Sequence, residues 1–241
     1  MYSQITANKR KTWLLVSLVT GFIVLLFYFF GLYIEADPAV TVIIGTIFAT
    51  IYSLISYFLA DKVALATHGA KELKKVDGPE LWNLVENLTI ASGLQMPKIY
   101  LIADESPNAF ATGRDPNHAS ITFTTGLLRL LDKQELEGVI AHELSHIKNY
   151  DIRLMTITVV LVGVIMLMAQ IIIHIRPPRG NNDNNQAGLI FLLIGIALAI
   201  LSPLIAELIK LAISRTREYL ADADASLLTR FPEGLANALR K

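Results

Sequence analysis

The chain has 241 residues, 53% of them hydrophobic and 17% charged, and its mean hydropathy of +0.49 is higher than an ordinary soluble domain of this size carries. Lys plus Arg equals Asp plus Glu at 21 each, which excludes a whole-protein basic footprint for nucleic acid. With no cysteine in the chain, disulfides and thiolate metal sites are excluded, leaving His and carboxylate as the strong metal ligands.

In chain order, the first element is an uncharged run over residues 12–34, long enough for a helix to cross a hydrocarbon core. Lys9, Arg10 and Lys11 could open a signal peptide, but the apolar run is too long and no A-x-A-like cleavage site closes it. A second uncharged run, residues 38–60, follows after only Glu35, Ala36 and Asp37, with Pro38 suited to a first helical turn. The two runs read as a transmembrane hairpin.

The polar region 61–153 comes next. Pro79 opens a helical pattern in which Leu81, Leu84, Val85, Leu88 and Ile90 recur near a 3.6-residue period until Gly93. Residues 98–103 and 119–124, rich in Ile, Tyr, Leu, Thr and Phe and bounded by turn formers, predict two strands of a small sheet. Asp132 followed by Glu135 is a capping-box signature, opening a helix through Leu136, Val139, Ile140 and Leu144 toward Asp151. No Pro or Gly intervenes between Gly138 and Gly163, so this helix is expected to continue straight into the third apolar run, near the membrane surface.

Residues 154–173 and 187–206 are two further uncharged runs, joined by a turn around Arg176 to Asn181, and neither shows the polar face of a soluble helix. Basic Lys9 to Lys11 before the first run and acidic Glu35 and Asp37 after it put the N-terminus in the cytoplasm. Two crossings then return region 61–153, and four the tail after 206, to that same side; Arg176 and Arg179, in a loop on the far side, run against that assignment.

His142-Glu143-Leu144-Ser145-His146 places two imidazoles at i and i+4 on one helix face, where both can reach one ion, with Glu143 beside them as a base for water. Composition alone yields about 0.005 such H-E-x-x-H matches in a chain of this length. Two histidines leave a catalytic zinc one ligand short, and a third His (His68, His118 or His174) or a carboxylate would complete it. Beyond the fourth run, Ser214-Arg215-Thr216-Arg217-Glu218-Tyr219-Leu220-Ala221-Asp222 puts Glu218 and Asp222 on one helical face, equally readable as a solvated charged helix.

These segments, together with Pro107-Asn108-Ala109-Phe110-Ala111-Thr112-Gly113, resemble the HtpX family of membrane zinc metallopeptidases, relatives of the CAAX prenyl proteases. The similarity runs from the N-terminal apolar pair through Pro232 to Leu239. It implies one zinc ion per chain held by His142, His146 and Glu218, with Glu143 as catalytic base and Asp222 orienting a ligating imidazole. Asn108, Ala109 and Phe110 would form a substrate-binding edge leading to the strand at 119–124; the plainer reading is a loop whose Asn108 caps a turn.

The resulting expectation is a mainly α integral membrane protein, with four transmembrane helices and a small α+β zincin-like metallopeptidase domain. Its parts are a transmembrane hairpin at 1–60, a cytoplasmic catalytic region at 61–153, a second hairpin at 154–206 and a C-terminal catalytic helix region at 207–241. Members of the family run several dozen residues further, so a chain that stops at Lys241 inside a helical pattern is expected to be truncated. The implied activity is endopeptidase cleavage of membrane or misfolded membrane-associated proteins at the cytoplasmic membrane, with protein substrates and the lipid bilayer as partners and no nucleic acid. A narrow-specificity processing peptidase is the alternative enzyme, and a membrane scaffold the non-enzymatic one. Against the scaffold or a transporter subunit, the four apolar runs contain no Asp, Glu, Lys, Arg or His to act as a charged relay.

Overall fold

The computed structural model describes residues 2–33, 36–158, 163, 195 and 215–241. The chain divides into two compact units, one of Met1–Thr12, Phe58–Ile157 and Ile213–Lys241, the other of Trp13–Tyr57 and Thr158–Ala212. Most of the expected third and fourth membrane runs, 154–173 and 187–206, lies outside the described residues.

Two long helices open the chain, α1 (Tyr2–Tyr33) and α2 (Pro38–Thr67). Their apolar stretches, Thr6–Leu32 and Pro38–Leu59, span 27 and 22 residues, against roughly 20 needed to cross a bilayer core. Only 19% and 22% of these windows are buried, so they are not the core helices of a soluble protein. Ile43, Ile47, Ile51 and Leu54 stand more than half exposed along α2, as side chains facing lipid would. Within the second unit the pair is joined by a 2.9 Å hydrogen bond between the Thr20 and Ser53 hydroxyls.

The first unit is built on a four-stranded sheet in the order β1-β2-β4-β3, from β1 (Lys71–Glu72), β2 (Lys98–Ile102), β3 (Ala109–Asp115) and β4 (His118–Thr124). β2 and β4 run parallel; β1 and β3 are antiparallel to their neighbours. The predicted strands at 98–103 and 119–124 are β2 and β4. β3 was not predicted, because its Ala-Phe-Ala-Thr-Gly sequence lacks a β-branched run. Asp115 Oδ1 closes the β3–β4 turn by accepting from the backbone N–H groups of Asn117 and His118. Gly113, at φ 145°, sits at the β3 irregularity, where a Cβ would run into the His118 carbonyl.

β4 is paired on both sides, so its backbone has no free edge. Residues 119–124 therefore cannot take an added strand; among the described residues the edges of the sheet are β1 and β3.

Helix α3 (Pro79–Ser92) starts on Pro79 and ends at left-handed Gly93, as its sequence predicts. After short α4 (Thr125–Leu130) comes α5 (Lys133–Lys148), whose capping box is formed in full: Asp132 accepts from Glu135 N–H, and Glu135 from Asp132 N–H. Val85, Ile99, Ile121, Phe123, Ile140, Leu144 and Ile147 form the core. Truncating any of the large ones to Ala would cost about 2–5 kcal/mol.

The helix does not continue straight from α5. It ends at Asn149; Tyr150 is left-handed with φ 60°, and a new helical segment begins at Asp151 and covers residues 151–158. The turn is made at a non-glycine residue, which no Pro or Gly count detects. The unit closes with α6 (Arg215–Thr229) and α7 (Pro232–Ala238), both packed on α5. Gly138 lets α7 approach so closely that a Cβ there would lie 2.6 Å from Leu235 N.

Candidate metal centre

On α5, His142 and His146 lie one turn apart and turn their Nε2 atoms toward each other at 3.1 Å. α6 brings Glu218 against both, with Oε2 3.4 Å from His142 Nε2 and 3.7 Å from His146 Nε2. Three ligand atoms at the corners of a tetrahedron around zinc, with bonds of about 2.0–2.2 Å, are separated by about 3.3–3.6 Å. The triangle formed here is close to that size, and the donor set of two imidazoles and one carboxylate suits zinc. Among the described residues this is the one group of three that could hold a metal ion.

The surroundings favour a cation. Burial opposes charge on His146, but hydrogen bonding with Asp151 and Glu218 and the negative charge of Glu143 outweigh it and push its pKa up to about 10. Hydrogen bonding with His142 and His146 holds the Glu218 carboxyl well below the usual carboxylate range. Both imidazoles are backed by a carboxylate on the nitrogen away from the triangle. Asp151 Oδ2 lies 3.1 Å from His146 Nδ1 in a hydrogen bond, so the neutral ring would keep its proton on Nδ1 and turn a bare Nε2 toward an ion. Asp222 Oδ1 lies 3.0 Å from His142 Nδ1, but out of line for a hydrogen bond, so Nδ1 remains formally unsatisfied.

Glu143 is buried, and the backbone N–H of Ala111 on the edge strand is near enough to help hold its charge. Burial raises its pKa, against the lowering pull of His146, His142 and that N–H. Just before β3, the Asn108 carbonyl accepts from Thr124 N–H of β4, and Asn108 N–H donates to the Thr124 hydroxyl. Residues 109, 111 and 113 therefore turn their N–H and C=O groups away from the sheet. Gly113 N–H is taken up by Thr156 and Ala111 N–H faces Glu143, which leaves Ala109, between Asn108 and Phe110, with its backbone groups on the outer edge of β3.

The other histidines are elsewhere. His118 pairs with Asp115 at 2.9 Å, His68 bonds the Ala64 carbonyl and lies against Phe110, and His174 is outside the described residues. Sequence reasoning missed Asp151, because on an uninterrupted helix a residue five after His146 points about 140° away. Only the left-handed Tyr150 brings its carboxylate back.

A His-His-Glu triangle beside a buried glutamate and a free strand edge defines the metallopeptidase class. The profile of peptidase family M48 matches residues 76–241, so the chain belongs to that family. Within it, the chain is 44% identical over 243 residues to a protein named "Protease HtpX homolog" from Dictyoglomus thermophilum, covering all of this chain and 78% of that protein. It is 43% identical over 249 residues to a protein of the same name from Lactobacillus helveticus, covering all of this chain and 84% of that one. These relatives group it with the HtpX proteases. Its fold is also similar to the crystal structure of S. mikatae Ste24p, with a TM-score of 0.53 at 23% identity, over 99% of this chain and 58% of that one.

Proposed function

We infer that this protease is a zinc-dependent endopeptidase whose metal ligands are His142, His146 and Glu218 and whose catalytic base is Glu143. The observation that carries the reading is the triangle of Nε2, Nε2 and Oε2 atoms at 3.1, 3.4 and 3.7 Å. Zinc, when bound, supplies Lewis acidity, lowering the pKa of a water toward about 7 and polarising the scissile carbonyl.

The rest of the chemistry falls to the chain. Glu143 takes the proton from the attacking water and returns it to the leaving amine, and the upward shift of its pKa by burial suits a group that must do both. Asp151 and Asp222 hold the two imidazole rings in place. The substrate adds as a strand beside β3, with the open groups of Ala109 and the Ala111 carbonyl pairing with its backbone and Asn108 and Phe110 flanking it. Ala111 N–H, facing Glu143, marks where that strand would meet the base.

We assign the enzyme to the cytoplasmic membrane as a multi-pass protein, with regions 61–153 and 207–241 on the cytoplasmic side joined into one catalytic domain by the hairpin 154–206. The 1–60 hairpin is its anchor. Its substrates are membrane or misfolded membrane-associated proteins; the apolar character of α1 and α2 and the HtpX relatives support this reading.

The test is metal content and proteolysis of the purified chain, with and without a chelator. One zinc per chain and activity that is lost on chelation and restored by zinc are expected. Glu143→Gln should keep the zinc yet lose at least about 100-fold in turnover, since an amide cannot accept the proton. A Glu143→Gln enzyme with near-parental turnover would remove Glu143 from the base role.

A further inference from the structure

Asn8 lies in the early turns of α1, far from any motif, yet it is only 3% exposed. Its Nδ2 donates to Asp151 Oδ1 at 2.6 Å and to the Asn149 carbonyl at 3.0 Å. Its Oδ1 accepts from Arg217 Nη1 at 3.1 Å, and the same guanidinium nitrogen stands 3.4 Å from Asp151 Oδ1. The Asp151 carboxylate is thus divided: Oδ2 holds His146 Nδ1, and Oδ1 takes Asn8 and Arg217. Asp151, His146 and Arg217 are buried as well.

A carboxylate held only by one imidazole can turn about its Cβ–Cγ bond. With donors fixing the opposite oxygen it cannot, and the ring it faces is fixed in turn. Asparagine fits because the position needs two N–H donors and one acceptor. An Asp would set acceptors against Asp151 and the Asn149 carbonyl; a Leu would fill the space and bond nothing.

We propose that Asn8 is a positioning residue for the metal centre: from the N-terminal helix it locks Asp151 so that His146 presents Nε2 to the ion. The proposal rests on the reading of His146 as a metal ligand. It makes the first membrane helix part of the catalytic apparatus rather than an anchor alone.

The experiment measures zinc affinity of the full chain in detergent by competition with a chelating indicator. Asp151→Asn, altering the carboxylate that contacts a ligand, should weaken binding about 10–100-fold, and Asn8→Leu, one bond further out, about 3–10-fold. If Asn8 acts through Asp151, adding Asn8→Leu to Asp151→Asn should cost less than about 2-fold more. Thr12→Val, one turn along α1 and equally buried, should leave zinc affinity at the parental value.

Parental affinity in Asn8→Leu overturns the proposal. So does an equal loss from Asn8→Leu in both backgrounds, or from Thr12→Val, since a mere helix tether would act that way. If Asn8→Leu does not fold, Asn8→Ser gives the milder loss by the same readout, and parental affinity there overturns the proposal equally. A parent that binds no stoichiometric zinc, or an Asp151→Asn variant that binds it as tightly as the parent, strikes the metal-centre reading itself and the proposal with it.

Discussion

At the scale of single residues, the sharpest question is how the two acidic side chains of α6 divide their roles. Glu218 and Asp222 stand one turn apart and each reaches His142, but by different nitrogens: Glu218 by Nε2 at 3.4 Å, Asp222 by Nδ1 at 3.0 Å. Only Glu218 also approaches His146 Nε2, at 3.7 Å, so it alone completes a triangle. Removing a ligand should abolish tight binding, whereas removing the partner behind one imidazole should weaken it by about 10–100-fold. Zinc titration of Glu218→Ala beside Asp222→Ala, with folding checked by circular dichroism, is expected to give that order. The reverse order would exchange the two assignments. The His and Glu residues of α5 could be named from the sequence because i,i+4 spacing is a local property of a helix. Asp151 and Asn8 could not, since one depends on a left-handed Tyr150 and the other on a contact across 141 positions.

At the scale of elements, the frame that holds the triangle is the packing of α6 and α7 on α5. Gly138 is the point of closest approach to α7: an added Cβ would meet Leu235 N at 2.6 Å and Leu235 Cα at 2.8 Å, both backbone atoms that cannot swing aside. Gly138→Ala gains about 1 kcal/mol of helix propensity, but overpacking of this kind costs about 1–3 kcal/mol, and backbone contacts belong at the upper end. A lower thermal midpoint is therefore expected. Gly21→Ala is the control, because its Cβ would meet nothing within 4 Å and should leave the midpoint unchanged or raise it. A Gly138→Ala midpoint at or above the parental one would show that α7 can shift without cost. The sequence announced α3 and α5 well, through Pro79, Gly93 and the Asp132–Glu135 box, since caps are read from neighbouring residues. It did not announce β3, whose strand character comes from pairing with β4, nor the break at Asn149 and Tyr150. Both are imposed by partners distant in sequence.

At the scale of the whole molecule, the proposed topology turns on the charges that flank the two apolar helices. α1 has 32 residues, or about 48 Å at 1.5 Å per residue, ample for a hydrocarbon core of about 30 Å. No Lys or Arg lies between α1 and α2, where Glu35 and Asp37 stand instead, while Lys9, Arg10 and Lys11 precede the uncharged run 12–34 and Lys62, Lys71, Lys74 and Lys75 follow the uncharged run 38–60. Carrying each such charge against the membrane potential costs about 2.3 kcal/mol per 100 mV. This cost is the argument for the proposed orientation, with both basic flanks in the cytoplasm; Arg176 and Arg179 are the charges that run against it. Because the chain has no cysteine, single-cysteine reporters can test this without background. Ala36→Cys, between the two helices, should react with a membrane-impermeant maleimide added to intact cells. Val76→Cys, 85% exposed in the sheet-bearing unit, should react only after the cells are permeabilised. Labelling of both positions from outside, or of neither, would place the inter-helix turn and the His-Glu-His helix on one side and overturn the hairpin topology.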